Sequence, residues 1–256
     1  MLAYLLAAAA AIALVAVASL TVRQVRRARD DDDPDGPTTS HTGAMISALF
    51  LLAFAVAIVV PWTTTDTARL NTYTETRAIV EAHWAAGRLP SPVRERVQTG
   101  LRDYAAFVRD TEWPLMADGK LSPAGWIRLD GLRREGLAVR PGDDEELKDA
   151  RTAFLDHVAE ISAARHQRAM DAKTTPPPGL LIITVLTGLA VVLLPFLAGA
   201  RPRGMILVPL GIMAGLLGIG VYLAVDIAHA FAGGLAVKPD AFTDVLAEIQ
   251  RISAGG

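Results

Sequence analysis

The sequence predicts an all-α integral membrane protein with four transmembrane helices and a helical extramembrane domain inserted between the second and the third. Three observations predict it. The chain has 256 residues, 52% of them hydrophobic, gathered into long runs rather than spread in amphipathic periods. Four of these runs, Leu2 to Val22, Ala44 to Trp62, Gly179 to Ala200 and Met205 to Val225, contain no charged residue. The stretch between the second and third runs carries helix start and stop signals, with apolar residues at three- and four-residue steps and no strand alternation.

A hydrocarbon core about 30 Å thick needs roughly 20 helical residues at ~1.5 Å rise each, and every run has that length. A lone charge at mid-span would cost about 2.5–3.5 kcal/mol on insertion scales; the runs avoid it. The first run reads as a retained helix and not a cleaved secretory signal, because only Met1 precedes Leu2 and Arg23, Arg26 and Arg27 follow directly. The organisation expected is a first transmembrane helix and acidic linker (1–42), a second transmembrane helix (43–62), a helical extramembrane domain (63–178), the third and fourth transmembrane helices (179–236) and a C-terminal tail (237–256).

Asp30 to Thr42 is polar and acidic, with Pro34, Gly36 and Pro37. Asp31, Asp33, Asp35 and Gly36 match the opening of an EF-hand loop, but Thr42 stands where a bidentate glutamate is required. The segment reads as a solvated charge run. Thr63 to Trp84 continues the second span as a long helix, which Leu89-Pro90 ends. Ser91 is the expected N-cap and Pro92 the first position of the next helix. Val93, Val97, Leu101, Tyr104 and Val108 give that helix one apolar face, and Pro114 is expected to stop it. Ser122-Pro123 starts a helix carrying Trp126, Leu129 and Leu132. Pro141-Gly142 breaks the chain again. Asp143 and Asp144 cap a long helix whose first turn holds Glu145 and Glu146, favourable to its dipole. Its buried stripe is Leu147, Ala150, Phe154, Val158 and Ile161. Thr174 to Gly179, with three consecutive prolines, is a stiff break before the third span.

The net charge of −2 provides no basic field for nucleic acid. Cysteine is absent, which excludes disulfides and thiolate metal sites. The excess of arginine over lysine and the abundance of alanine read as GC-rich bacterial codon usage, and hence a bacterial plasma membrane. The five histidines form neither HExxH nor a three-ligand cluster at helical spacing, and His157 with Glu160 reads as a solvated pair. No nucleotide-binding or nucleophile-elbow motif occurs in a strand-to-helix context. No enzymatic activity, cofactor or metal is expected. The spans hold no ionisable residue at depth, where ion-coupled carriers keep them; a pore gated by dewetting needs none.

Two groups of span residues are candidates for function. Ser47, Phe50, Phe54, Ala57 and Pro61 share one side of the second span and could line a constriction, although ordinary packing or lipid contact produces the same pattern. In the fourth span, Gly211 with Gly215 and Ala214 with Gly218 have the small-residue spacing that lets helix backbones approach closely, within or between subunits.

Leu49 to Trp62, followed by Asp66, Ala68-Arg69 and Glu75, resembles the second-helix signature of the bacterial bestrophin-like family. Leu89-Pro90, Tyr104, Val108 and Glu112-Trp113-Pro114 resemble its central motif. Asp226 to Phe242, with His229 and Phe231, is similar to its closing segment. The resemblance covers roughly residues 43 to 245. One departure is Ala230, where the pattern has a proline, which is expected to loosen the turn after the fourth span. The resemblance implies four membrane helices and a distant relation to bestrophin anion channels, which are homopentamers with a pore lined by the second helix. The expectation is therefore a homo-oligomer in a lipid bilayer, a channel or pore; the alternative is a membrane-anchored interaction or sensor module whose central helices bind a partner of unknown identity. For Glu112-Trp113-Pro114 the residues themselves read as a tryptophan anchoring a helical core beside a solvated glutamate. Asp226 and His229 read as a polar collar at the membrane interface, or alternatively as a charge ring at a pore mouth.

Sidedness follows from arginine counts. Arg23, Arg26, Arg27 and Arg29 follow the first span, and Arg201 and Arg203 separate the third and fourth. The positive-inside rule puts both loops in the cytoplasm and the central domain outside, whereas bestrophins keep their helical domain in the cytosol.

Overall fold

The computed structural model describes residues 2–27, 37–197 and 207–255. Arg29, Arg201, Arg203, linker residues 30–36 and the end of the third uncharged run lie outside the described residues. All regular structure among the described residues is helical: α1 (Leu2–Arg27), α2 (Pro37–Gly87), α3 (Val93–Phe107), a π-helical turn (Val108–Glu112), α4 (Trp113–Met116), α5 (Pro123–Ala138), α6 (Glu145–Lys173), α7 (Pro178–Leu197), α8 (Leu207–Asp226) and α9 (Asp240–Gly255). The chain divides into two compact units, residues 1–62 with 175–228, and residues 63–174 with 229–256. α2 contributes to both.

Among the described residues three helices are long and apolar enough to cross a bilayer, over Leu2–Thr21, Ser47–Gly87 and Val208–Asp226; Gly179–Leu194 is a shorter apolar helix. The charge-free part of α2 ends at Trp62. α8 packs on α1 through small residues. Ala214 is fully buried, and a Cβ on Gly218 would lie 2.7 Å from the Ala7 carbonyl oxygen. Gly215 faces Ile12 at ordinary contact distance, and Gly211 faces open space. Phe50 and Phe54 stack, with centroids 5.4 Å apart. Their rings fill the space that side chains at Gly188 of α7 and Gly220 of α8 would occupy.

The second unit is a helical domain whose core is made largely of the predicted stripes, with Val93 and Leu147 half-buried at its edge. Val97, Leu101, Tyr104 and Val108 are fully buried, as are Ala150, Phe154, Val158 and Ile161; Ile79 and Ala82 of α2 close the core. Asp144 caps α6 by accepting from the Leu147 amide at 3.0 Å, and Ser122 caps α5 through Ala124.

Four local expectations differ. The helix of α2 begins at Pro37, so residues 37–42 are helical, not linker. Pro92 and not Ser91 is the N-cap of α3. Pro114 does not stop the helix. The chain passes through a π turn, in which the Trp113 amide reaches back to the Val108 carbonyl, and continues to Met116. A proline ring clashes with the carbonyl four residues before it in an α-helix, and the wider π turn moves that carbonyl aside. The segment given as a C-terminal tail contains α9, and Phe242, Val245 and Ile249 pack from it into the core of the second unit. Those apolar positions recur at three- and four-residue steps behind Pro239-Asp240, a helix signal present in the sequence.

Candidate functional site

Four charged side chains are fully buried at the centre of the second unit: Glu75 of α2, Glu112 at the end of the π turn, and Arg165 and Arg168 of α6. Each lies on the inward stripe of its own helix. In α6 the buried series Phe154, Val158 and Ile161 runs on to Arg165 and Arg168 at the same three- and four-residue steps. In α2 Glu75 stands between Ala68, Thr72 and Ile79, all buried. The charges are therefore core residues by helical geometry.

Glu112 and Arg165 form a two-pronged pair, with Nη1 donating to Oε1 and Nη2 to Oε2 at 2.6 Å. Arg168 joins the two carboxylates. Its Nε and Nη2 donate to Glu75 at 2.7 and 3.0 Å, and its Nη1 donates to Glu112 Oε1 at 2.9 Å. Tyr104 donates its hydroxyl to Glu75 at 2.6 Å, and the Ser122 amide donates to Glu112 at 3.2 Å. Arg165 Nη2 also donates to the Ser122 carbonyl at 2.8 Å. The guanidinium groups rest on rings as well, Arg165 on Trp126 at 4.9 Å and Arg168 on Phe242 at 5.6 Å. Gly125 is required here, since a Cβ at that position would fall on the Arg165 guanidinium. Arg165 Nε is buried with no hydrogen-bond partner.

Burial by itself would lower the Arg168 pKa, but the charge and hydrogen bonds of Glu75 outweigh it and the net shift is upward. Arg165 behaves alike, with Glu112 as the counterweight to burial. Burial first, then the charge of Glu75, holds the Tyr104 phenol well above its ordinary value. Two carboxylates against two guanidiniums leave the cluster neutral, and paired hydrogen bonds are what make such burial tolerable. The arrangement can hold α2, the π turn, α5 and α6 in one register.

Glu112 is thus not solvated, as the residues alone suggested, but is the most connected acid of the core. Trp113 is buried, donates from Nε1 to the Val237 carbonyl at 3.2 Å, and meets Phe231 edge-on at 5.5 Å between centroids. Pro114 is exposed. Val237 donates to the carbonyl of Ala230 at 2.8 Å, so the turn expected to be loose is closed. Asp226 accepts from Tyr4 at 3.0 Å, and His229 is exposed. Of the second-span candidates, Phe50, Ala57 and Pro61 are buried within the first unit, while Ser47 and Phe54 are half-buried. His157 and Glu160 form an exposed contact of 2.9 Å. Sequence reasoning missed Glu75, Arg165 and Arg168 as a group; the signal was charge on the continuation of a buried stripe.

A family model, the Bestrophin-like domain, matches residues 8–242. The chain belongs to that family. The match begins inside α1 and ends just inside α9, further toward the N-terminus than the resemblance in the sequence reached, and it includes every member of the ionic cluster. Neither a curated protein nor a solved structure matches the chain. Trp113 and Phe231 meet each other in the second unit, and Glu112 beside Trp113 ties that aromatic core to the ionic cluster.

Proposed function

We propose that this bestrophin-like protein assembles with copies of itself into a membrane pore lined by α2, in a bacterial plasma membrane. The observation that carries this reading is the family match over residues 8–242, and the uncharged spans support it. In this reading α7, a 20-residue helix, is the remaining membrane crossing, because ~1.5 Å per residue gives it about 30 Å. The second unit is then an inserted extramembrane domain, outside the cytoplasm by the arginine distribution. No enzymatic step, cofactor or metal enters the reading.

The residues that α2 would offer to the pore axis differ from the first choice. Phe50 and Phe54 pack against α7 and α8 of the same chain, whereas Leu49, Leu52, Val56 and Val59 are exposed. The absence of cysteine makes a clean test. Val56→Cys is expected to form an intermolecular disulfide between α2 helices under mild oxidation in membranes, while Ala57→Cys, on the buried side, is not. Purified protein is expected to be oligomeric and to carry current in planar bilayers. A strict monomer without current would leave the membrane-anchored interaction module as the better reading.

A further inference from the structure

The second unit contains a cavity of ≈ 270 Å³ where one turn of α2 faces the loop leading into α9. Its lining includes Arg69, Tyr73, Leu235, Lys238 and Asp240. The loop wall is fixed to the core. Gly233 takes φ +97° to turn the chain, Val237 is pinned to Ala230, and the Trp113 indole holds the Val237 carbonyl. The cavity is thereby pre-formed.

Its lining offers two cations, Arg69 and Lys238, and one carboxylate, Asp240. Asp240 opens α9, where the helix dipole favours a carboxylate. Arg69 has an ion pair with Asp66, but at 3.8 Å and with both side chains at least half exposed; such a pair is weak and leaves the guanidinium available. Tyr73 and Leu235 are 49% and 46% exposed and add a phenol and an apolar surface to the rim. Two cations suit a phosphate, and the amphipathic rim tolerates an organic group on it. Such phosphates are close at hand along the chain, since Arg69 follows Trp62 by seven residues, about 10 Å of helix rise.

We propose that this cavity binds a phosphate group in a molecule of net negative charge, supplied by an anionic phospholipid headgroup or by soluble phosphate. The proposal does not depend on pore formation. In native mass spectrometry of the full chain from detergent, phosphatidylglycerol is expected to be retained over phosphatidylcholine of the same acyl chains. The double variant Arg69→Gln/Lys238→Gln is expected to weaken phosphatidylglycerol retention by about thirtyfold, from the loss of two cations near a surface, with the melting temperature unchanged. Arg69→Lys and Lys238→Arg are expected to keep it. If the two lipids bind alike but inorganic phosphate gives a calorimetric signal that the double variant loses, the source is soluble phosphate and the site stands. Equal retention of both lipids with no phosphate signal, or a folded double variant that binds like the parent, overturns the proposal.

Discussion

At the scale of single residues, the second unit depends on charges that cannot be removed one at a time. Deleting one partner of a buried pair leaves the other desolvated and unpaired, at about 3–5 kcal/mol. Glu112→Gln is expected to lower the stability of the second unit by that order, because Arg165 and Arg168 both donate to it; thermal unfolding in detergent reports it, and parent-like melting would show the cluster to be dispensable. His83 adds a pH dependence. It is buried, its Nδ1 has no partner and its Nε2 lies 3.5 Å from the Ser253 hydroxyl. Burial, and then the charge of Arg102, lowers its pKa. The unfolded state therefore binds the proton more readily than the folded one, and stability present above about pH 6.5 declines as the pH falls. Unfolding measured between pH 7.5 and pH 5 is expected to show this decline, and His83→Gln to flatten it by up to about 1.4 kcal/mol per pH unit.

At the scale of elements, the contact of α1 with α8 is set by which small residues face the partner. Gly218 meets the Ala7 backbone, whereas Gly211 meets nothing within 4 Å. Overpacking a tight contact costs about 1–3 kcal/mol or more, so Gly218→Leu is expected to separate the helices and lower thermal stability. Gly211→Leu is expected to melt like the parent. Gly215→Leu, facing Ile12 at 3.4 Å, is expected to fall between them. Equal melting of all three would remove close approach as the reason for these glycines. The π turn is an elemental feature of a different kind. It lets a proline follow Trp113 without ending the helix, and it sets Glu112 inward, where both arginines reach it.

At the scale of the whole molecule, the proposed topology has a direct test. Carrying the arginines of the short loops across an inside-negative membrane costs about 2.3 kcal/mol per charge per 100 mV, while a long segment is translocated largely regardless of its charge. Lys120 is exposed on the second unit. In intact cells, Lys120→Cys is expected to react with a membrane-impermeant thiol reagent, and a cysteine placed at Asp32 is expected to be silent. The opposite pattern would put the helical domain in the cytosol.

The sequence by itself determined most of the elements, though not the start of α2, the π turn at Pro114 or α9. Uncharged runs of bilayer length, Asp144 and Ser122 as caps, and the stripes of α3 and α6 follow from local rules acting over a few residues, and so does the family motif. The tertiary structure decided what those elements do to one another. Helical periodicity places Arg165 and Arg168 on a buried stripe, but the pairing to Glu75 and Glu112 joins residues as much as 93 positions apart, and one sequence holds no term for that distance. The same reason separates the glycines of α8. Gly211 and Gly218 are alike in spacing, and only the path of α1 makes one a contact and the other open space. Glu112 reads as solvated beside a proline until the π turn rotates it inward, because a change of one residue in helical repeat alters which face a side chain occupies.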